Sequence, residues 1–461
     1  MFRKFKKIHF IGIGGIGMSG IAELLLNLNF NVTGSDLKLS DTTAHLEEKG
    51  ATVFEGHDPD NVDASDVVVY SSAVTLDNPE VQEAQERNIP IIRRAEMLGE
   101  LLKLKSYSIA VAGTHGKTTT TSMIGNMMTA GGLDPTLIIG GIIKNLKSNA
   151  LLGQGDYVVA EADEFDRTFL SLTPTIAVIT SIEKEHLDTY ADLDDLKNAF
   201  VQFANKVPFY GVVLACLDET HVQDILPRFT RSVITYGLSV QADVRAVNVK
   251  YEENLSEFDI KVGEKNYGRI TLNSPGEHNV KNATATVALG LELGMEFKDI
   301  QAGIQSYETV NRRFEFKGEV EDVLFVDDYA HHPTEVKATL TAAKQGWNRR
   351  VVAVFQPHLF TRTRDFASDF GKAFLNSDVV FVTDVYPSRE KPIEGITGKL
   401  VSDAARSFGH KNVFYIKDKE DLPAKVSEKL EPGDIVITIG AGDITRYNKE
   451  IMETFSSRAT E

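Results

Sequence analysis

The sequence AVAGTHGKTTTTSM spans residues 110–123 and joins an apolar, strand-like stretch to a helix-like one. Its core, Gly116, Lys117 and Thr118, matches the end of the phosphate-loop pattern G-x-x-x-x-G-K-[ST]. The first glycine is Gly113, so the loop is compact. In such loops backbone N–H groups cradle phosphates, the lysine reaches the β and γ oxygens, and the threonine hydroxyl takes Mg²⁺. The stretch therefore predicts a nucleoside triphosphate site. Its binding candidates are Gly113, Thr114, His115, Gly116, Lys117, Thr118 and Thr119.

A second glycine loop, GIGGIG, occupies residues 12–17 between a predicted strand (8–13) and a predicted helix (18–28). It matches the dinucleotide-binding pattern G-x-G-x-x-G, and Asp36 ends the next strand, where such folds place an acid against a ribose hydroxyl. Alone, this loop would indicate an NAD site. Because a triphosphate loop follows it, we expect it to bind the pyrophosphate of a second, nucleotide-linked substrate. The binding candidates here are Gly12, Gly14, Gly15, Gly17 and Asp36, together with Ser71 and Ser72 at the end of strand 66–72.

Strand-like and helix-like stretches alternate along the whole chain, which predicts an α/β protein with parallel sheets. Its 461 residues suggest about three domains. We place the boundaries at 1–106, 107–311 and 312–461. Residues 244–272 instead alternate apolar and polar positions, which predicts a small antiparallel sheet attached to the central parallel one.

Composition excludes several classes of protein. The net charge of −17 argues against a nucleic-acid partner. No apolar run approaches the ~18 residues of a membrane span, and the N-terminus lacks the features of a signal peptide. The lone cysteine, Cys216, lies in an apolar strand pattern and predicts a buried thiol in a reducing compartment. We therefore expect a cytoplasmic protein without a membrane partner.

Acidic and histidine side chains follow the central strands. The segment EADEFD comes directly after a strand, and strand-end carboxylates beside a phosphate loop are natural Mg²⁺ ligands. We take Glu161 as the metal candidate and His186, at the same sheet edge, as a ligand for a second metal. The alternative is a solvated acidic loop.

The third block carries two further sets of candidates. VDDYAHHPTEV places Asp328, His331 and His332 between a strand and a helix. QPHLFTRTRDF follows the next strand, and its arginines suit a bidentate clamp on a carboxylate. NRRFEF puts Arg313 at the domain boundary, from which a cation can reach ATP on domain closure. Helix caps and surface ion pairs are the alternative interpretation.

In order along the chain, the motifs HFIGIGGIGMSGIAE, AGTHGKTTTT, EADEFD, EHLDTY, HNVKNATA, NRRFEFKG, DDYAHHPTEV and QPHLFTRTRDF resemble those of the Mur ligase family. The resemblance covers nearly the whole chain. It implies a Rossmann-like N-terminal domain for a UDP-sugar, a central P-loop ATPase-type domain and a Rossmann-like C-terminal domain for an amino acid.

The resemblance also implies an activity, the ATP-dependent addition of L-alanine to UDP-N-acetylmuramate through an acyl phosphate in peptidoglycan precursor synthesis. A relative that adds a ready-made peptide to the same sugar nucleotide is the first alternative. An NAD-dependent dehydrogenase and a non-catalytic nucleotide sensor are the others. The second phosphate loop argues against the dehydrogenase, and the acidic and histidine clusters argue against the sensor.

Particular roles follow from the resemblance. Lys117 and its loop would bind the ATP phosphates, with Thr118 and Glu161 on Mg²⁺ and His186 on a second metal. The remaining implied roles are adenine contacts for His278, Asn279 and Asn282, a phosphate contact for Arg313, and amino-acid contacts for His358 and Arg362. The base that deprotonates the amine stays open among Asp328, His331 and His332. Leu359 stands where some members carry a basic residue, which leaves more of the amino acid's charge to Arg362.

Overall fold

The computed structural model describes residues 5–143, 148–185, 189–388 and 390–459. These residues form an α/β protein with sheets of five, ten and six strands, which confirms the predicted fold class. The chain divides into two compact units. The first comprises Met1–Val247, Asp259–Ile270 and Lys281–Tyr307, and the second Asn248–Phe258, Thr271–Val280 and Glu308–Glu461.

The five-stranded sheet is parallel, in the order β3-β2-β1-β4-β5. The strand order reverses beside β1, and ligands of open α/β sheets bind at such a switch point. The glycine loop follows β1 at this place. The elements are β1 Lys7–Ile11, α1 Ile16–Asn27, β2 Asn31–Asp36, α2 Asp41–Glu48, β3 Thr52–Glu55, β4 Val67–Tyr70, α3 Pro79–Glu86, β5 Ile91–Arg93 and α4 Arg94–Leu102.

The ten-stranded sheet has the order β15-β14-β13-β12-β11-β10-β6-β9-β7-β8. The strands predicted for 244–272 continue its edge as β13 to β15. The elements are β6 Tyr107–Ala112, α5 Lys117–Ala130, β7 Thr136–Ile143, β8 Ser148–Leu151, β9 Tyr157–Ala162, β10 Ile176–Ile179, α6 Leu193–Asn205, β11 Val212–Cys216, α7 Thr220–Ile225, β12 Ser232–Gly237, β13 Val244–Glu252, β14 Leu255–Val262, β15 Lys265–Leu272, α8 Glu277–Glu292 and α9 Phe297–Gln305.

The six-stranded sheet has the order β16-β17-β21-β18-β19-β20 and is parallel except for the antiparallel edge strand β16. Strand β16 was not predicted from the sequence. The elements are β16 Glu315–Val320, β17 Val323–Asp328, α10 Pro333–Gly346, β18 Arg350–Phe355, α11 Phe360–Ala373, β19 Val379–Val382, α12 Lys399–Ser407, β20 Val413–Tyr415, α13 Leu422–Ser427, β21 Asp434–Ile439 and α14 Ile444–Ala459.

Two of the inner strands are buried along their whole length. Every residue of β10 and of β21 is buried, as expected when helices cover both faces of a parallel sheet. Cys216 is buried as predicted, and burial raises the pKa of its thiol to about 12. In the part of the chain that the structure describes, no helix has the length and apolar character needed to cross a membrane.

Candidate functional site

The glycine loop between β1 and α1 is held by the end of β2. Gly12 N and Ile13 N both donate to the carbonyl of Ser35, at 2.8 and 3.0 Å. Gly14 N donates to Oδ2 of Asp36 at 2.9 Å. Gly12 has a φ of +79°, a conformation that favours glycine. Contacts within the protein therefore fix the loop, and Asp36, predicted to contact a ligand, helps to shape it.

Two glycines give the phosphate loop its compact shape. Gly116 has a φ of +83°, and a Cβ on Gly113 would overlap the Thr180 hydroxyl. Helix α5 begins at Lys117, so the N–H groups of its first turn are available to an anion. Lys117 Nζ donates to Gly113 O at 2.6 Å and pairs with Glu164 Oε2 at 2.8 Å. Burial opposes the charged form, but the carboxylate of Glu164 raises the pKa of Lys117, which stays protonated.

The structure brings together two of the predicted metal ligands. Thr118 Oγ1 donates to Glu161 Oε2 at 3.2 Å, and Gly140 N donates to Glu161 Oε1 at 2.6 Å. Hydroxyl and carboxylate oxygens are the hard ligands that Mg²⁺ prefers, so this pair fits the predicted ion. His186, the other predicted metal ligand, lies outside the described residues.

A cavity of about 350 Å³ lies between the glycine loop and the phosphate loop, within the first unit. The glycine-loop side contributes Gly15, Gly17, Ser71 and Ser72, and the phosphate-loop side contributes Lys117, Glu161 and Asp163. A volume of this size is typical of a small-molecule site. Two sets of residues that the sequence analysis assigned to different nucleotides therefore line one cavity.

Arg94 lines the same cavity, and the sequence analysis did not single it out. It begins α4 directly after β5, and its Nη2 lies 3.5 Å from Asp163 Oδ2. A Cβ on Gly17 would lie 2.6 Å from Arg94 Nη1, so the guanidinium packs on the glycine loop. The sequence feature that could have identified Arg94 is the Arg93–Arg94 pair at the end of an apolar strand. Arg93 instead donates from Nε to the Tyr70 hydroxyl, at 3.2 Å.

The three predicted adenine contacts differ in their surroundings. Asn282 lies against the phosphate loop, because a Cβ on Gly116 would be 2.8 Å from its Oδ1. Asn279 is buried, and its Nδ2 donates to Ser274 Oγ and Pro275 O, both at 2.8 Å. Asn279 thus stabilises the start of α8. His278 is exposed.

In the second unit, the two arginines of the NRR segment have different environments. Arg312 donates from Nε to Asp327 Oδ2 at 3.0 Å and from Nη1 to Gly442 O at 3.2 Å. Asp327 is fully buried, so Arg312 ties the segment before β16 to the end of β17 and to the loop after β21. Arg313 lies 3.6 Å from Glu335 Oε1 in a longer, partly exposed pair. The contact of Arg313 with a phosphate stays a prediction.

The three candidate bases also have separate environments. Asp328 is buried and accepts backbone hydrogen bonds from Phe314 N and Ala330 N, each at 2.8 Å. His332 is buried and caps α10. His331 is only partly buried, and its Nδ1 lies 3.0 Å from the Tyr329 carbonyl. Asp328 and His332 therefore contribute to folding, whereas His331 is the most accessible of the three.

Burial raises the pKa of Asp328 from 3.8 to about 6. Because the folded pKa is above the unfolded one, the stability that the protonated form provides is lost as the pH rises from about 4 to about 6. The difference corresponds to about 3 kcal/mol. Asp328→Asn cannot titrate, so the melting temperature of the wild type relative to this variant should fall between pH 4 and pH 7. A difference that is constant with pH would contradict the raised pKa.

His358 and Arg362 lie side by side at the end of β18. Arg362 Nη1 is 3.3 Å from His358 Nδ1, and the His358 ring stacks on Tyr386 at 5.8 Å. Leu359 between them has a φ of +71°, a strained value for a non-glycine residue, and such strain is concentrated at functional sites. The His331 ring lies 6.1 Å from that of His358. The predicted amino-acid residues are thus grouped, and Tyr386, which the sequence analysis missed, supports them.

Three family models match the chain, one after another. Residues 7–106 match "Mur ligase family, catalytic domain", residues 111–290 match "Mur ligase middle domain", and residues 312–442 match "Mur ligase, glutamate ligase domain". A crystal structure of the UDP-N-acetylmuramate–alanine ligase from Thermotoga maritima superposes with a TM-score of 0.81 at 29% identity, covering 98% of this chain and 99% of the other. A murein peptide ligase from Psychrobacter arcticus, 23% identical over 98% of this chain and 99% of its own, shares the fold with a TM-score of 0.70.

Curated relatives agree over almost the full length. The UDP-N-acetylmuramate–L-alanine ligase of Geotalea daltonii is 51% identical, covering 98% of this chain and 99% of the relative. The protein of the same name from Salinibacter ruber is 52% identical, covering 98% of this chain and 95% of the relative. With the three family models in order and the two phosphate-type loops at one cavity, the chain belongs to the Mur ligase family.

Proposed function

We propose that the chain is an ATP-dependent ligase that joins L-alanine to the carboxylate of UDP-N-acetylmuramate, a step of peptidoglycan precursor synthesis. The observation that carries this proposal is the single cavity shared by the glycine loop and the phosphate loop. The ligation must bring a carboxylate on a sugar nucleotide to the γ-phosphate of ATP, and this cavity offers both binding loops. Relatives named for this activity are 51 and 52% identical to the chain.

In the first step, a carboxylate oxygen of the sugar attacks the γ-phosphorus of ATP. The bond from that phosphorus to the β–γ bridging oxygen breaks, giving an acyl phosphate and ADP. Such transfers depend mainly on positioning and charge neutralisation. Lys117 supplies a fixed cation, and we keep Arg313 as a second cation for the phosphates. Thr118 and Glu161 would hold Mg²⁺, which neutralises phosphate charge when bound, and we keep His186 as the ligand of a second ion.

In the second step, the amine of alanine attacks the acyl carbon and phosphate leaves. His358 and Arg362 hold the alanine carboxylate, and a base takes the proton that the amine loses. Among Asp328, His331 and His332, the accessibility of His331 and its closeness to His358 support His331.

We assign the UDP-sugar to residues 1–106, ATP to residues 107–311 and the amino acid to residues 312–461. The position of Asn282 beside Gly116 supports its role as an adenine contact. His278 and Asn279 are the other candidates for adenine contacts. The substrates are metabolites of the cytoplasm, and the single buried thiol is compatible with that compartment.

Phosphate release from ATP tests the proposal. The purified chain is supplied with UDP-N-acetylmuramate and, in turn, with free amino acids and with a tripeptide. We expect release with alanine and little with the tripeptide. Preference for the tripeptide would favour the recycling activity. Calorimetry with NAD is the control for the dehydrogenase alternative, and tight NAD binding without UDP-sugar binding would contradict our assignment of the glycine loop.

Arg94 should contribute to UDP-sugar binding, because its guanidinium lies on the glycine loop and the sugar nucleotide is anionic. A charge-assisted hydrogen bond in such a partly buried place is worth about 1.5 kcal/mol or more. We therefore expect Arg94→Ala to raise the KM for UDP-N-acetylmuramate about 10-fold or more, with little change in the KM for alanine. Arg93→Ala, which removes the exposed neighbour, is the matched control. Equal KM values in the two variants would rule out this role.

A further inference from the structure

Helix α1 carries a buried polar face that the proposed mechanism does not use. Ser19, Gly20 and Glu23 follow Ile16 by three, four and seven residues, a spacing that places them on one side of a helix. Ser19 and Glu23 are only 4% exposed. A buried carboxylate is costly unless it is paired or hydrogen-bonded. The segment GMSGIAE therefore carries a feature that needs a partner elsewhere in the chain.

Strand β8 supplies that partner. Asn149 Nδ2 donates to the carbonyl of Ile16, in the first turn of α1, and to Ser19 Oγ at 3.3 Å. Ser148 Oγ lies 2.7 Å from Glu23 Oε2 and donates to it. Both β8 side chains are buried. Gly20 permits the contact, because a Cβ there would lie 2.9 Å from Asn149 Oδ1.

A histidine and a lysine also lie beside Glu23. His45 Nε2 and Lys49 Nζ, on α2 and directly after it, lie 3.4 and 3.7 Å from its carboxylate oxygens. The Glu23 carboxylate, carried by α1, therefore contacts residues of β8 and of the end of α2. The side chains of Glu23, Ser148, His45 and Lys49 meet at this point, and Asn149 binds the same helix. We call these five residues the junction, which fixes the glycine-loop helix to the central sheet.

The junction leads to the phosphate loop through the sheet. Strand β8 pairs antiparallel with β7, with Ala150 opposite Ile138. Ile138 and Gly140 line the cavity, and Gly140 N donates to Glu161 Oε1 at 2.6 Å. Glu161 in turn accepts from Thr118 Oγ1. Hydrogen bonds and short backbone segments of β8 and β7 thus connect the first turn of α1, beside the glycine loop, to the first turn of α5, beside the phosphate loop.

We propose that Asn149 and Glu23 are positioning residues that hold the glycine loop in register with the phosphate loop, so that the sugar's carboxylate meets the γ-phosphate. This inference rests on the proposed function. Each loop keeps its own shape without the junction, because the Ser35 carbonyl and Asp36 fix one loop and Gly113 and Gly116 fix the other. The junction sets the distance between two ligands that each bind on their own.

Two variants test this role in the full-length chain. Asn149→Ala removes the donor, and Gly20→Ala displaces the Asn149 amide while adding a residue that favours helix. We expect each nucleotide alone to bind with a Kd within about threefold of wild type. The rate of acyl phosphate formation should fall at least roughly 10-fold, because an error of ~1 Å in alignment is costly. The melting temperature of Gly20→Ala should fall less than that of Asn149→Ala, because the gain in helix propensity offsets part of the cost of displacing a buried amide. A similar loss of rate in both variants, despite their different stabilities, separates positioning from general destabilisation.

Asn27→Ala is the matched control, since it changes an exposed residue in the last turn of α1 and should leave the rate as in wild type. An unchanged rate in both test variants would overturn the proposal. So would loss of UDP-N-acetylmuramate binding in the absence of ATP, since the junction would then build the sugar site itself. Failure of the proposed function appears differently, as a wild-type chain that forms no acyl phosphate with this substrate.

Discussion

Lys117→Ala will lower kcat/KM by about 100-fold or more, equivalent to about 3 kcal/mol of transition-state stabilisation. Lys117 is the first residue of α5, and its ammonium lies within hydrogen-bonding distance of the Gly113 carbonyl and the Glu164 carboxylate. Its charge is therefore fixed beside the loop before reaction. Groups fixed in this way stabilise developing charge without the cost of reorganisation. Steady-state kinetics with all three substrates measures the effect.

A second variant distinguishes a loss of catalysis from a loss of stability. The Glu164 side chain is only 1% exposed, so Lys117→Ala also removes the cation paired with a buried carboxylate, which is itself destabilising. The double variant Lys117→Ala with Glu164→Gln removes both charges. If its melting temperature returns towards wild type while turnover stays low, the loss belongs to catalysis. Near-normal turnover in either variant would show that the phosphate-loop assignment is wrong.

Local sequence predicted the two loops and most of the strands around them. A phosphate loop needs glycines at particular turns and a helix start directly behind them, so its signal lies within about eight neighbouring residues. Gly116 with its positive φ and Lys117 at the start of α5 are where this pattern puts them. The same holds for the glycine loop and for the buried strands of the parallel sheets, whose apolar runs are continuous.

Contacts between distant segments were not predictable in this way. Arg312 and Arg313 are equivalent in the sequence, and only the structure shows that Arg312 binds the buried Asp327 and the carbonyl of Gly442. Arg94 enters the cavity because β5 and α4 place it beside Gly17. Strand β8 was not predicted from the sequence, and it carries Ser148 and Asn149, so the partner of the α1 polar face could not be recognised.

Arg362 should be the main partner of the alanine carboxylate. It lies one helical turn after His358, and the two side chains are 3.3 Å apart at Nη1 and Nδ1. Arg364, the other arginine of this segment, is exposed and pairs with its neighbour Asp365 at 2.7 Å. Leu359 supplies no charge. Arg362 as the clamp stays a prediction, and Arg364→Ala is a matched control on the same helix.

We expect Arg362→Ala to raise the KM for alanine by about 10- to 150-fold, because a charge-assisted pair is worth roughly 1.5–3 kcal/mol. Arg364→Ala should change it little. Binding of ATP and UDP-N-acetylmuramate should be nearly unaffected, and acyl phosphate should still form, since the first step needs no amino acid. Borohydride reduction to the sugar alcohol would trap that intermediate. An unchanged KM for alanine would place the clamp elsewhere. If the sugar alcohol cannot be trapped although both nucleotides still bind, Arg362 acts in the first step. The assignment of ATP to residues 107–311 and of the amino acid to residues 312–461 would then be wrong.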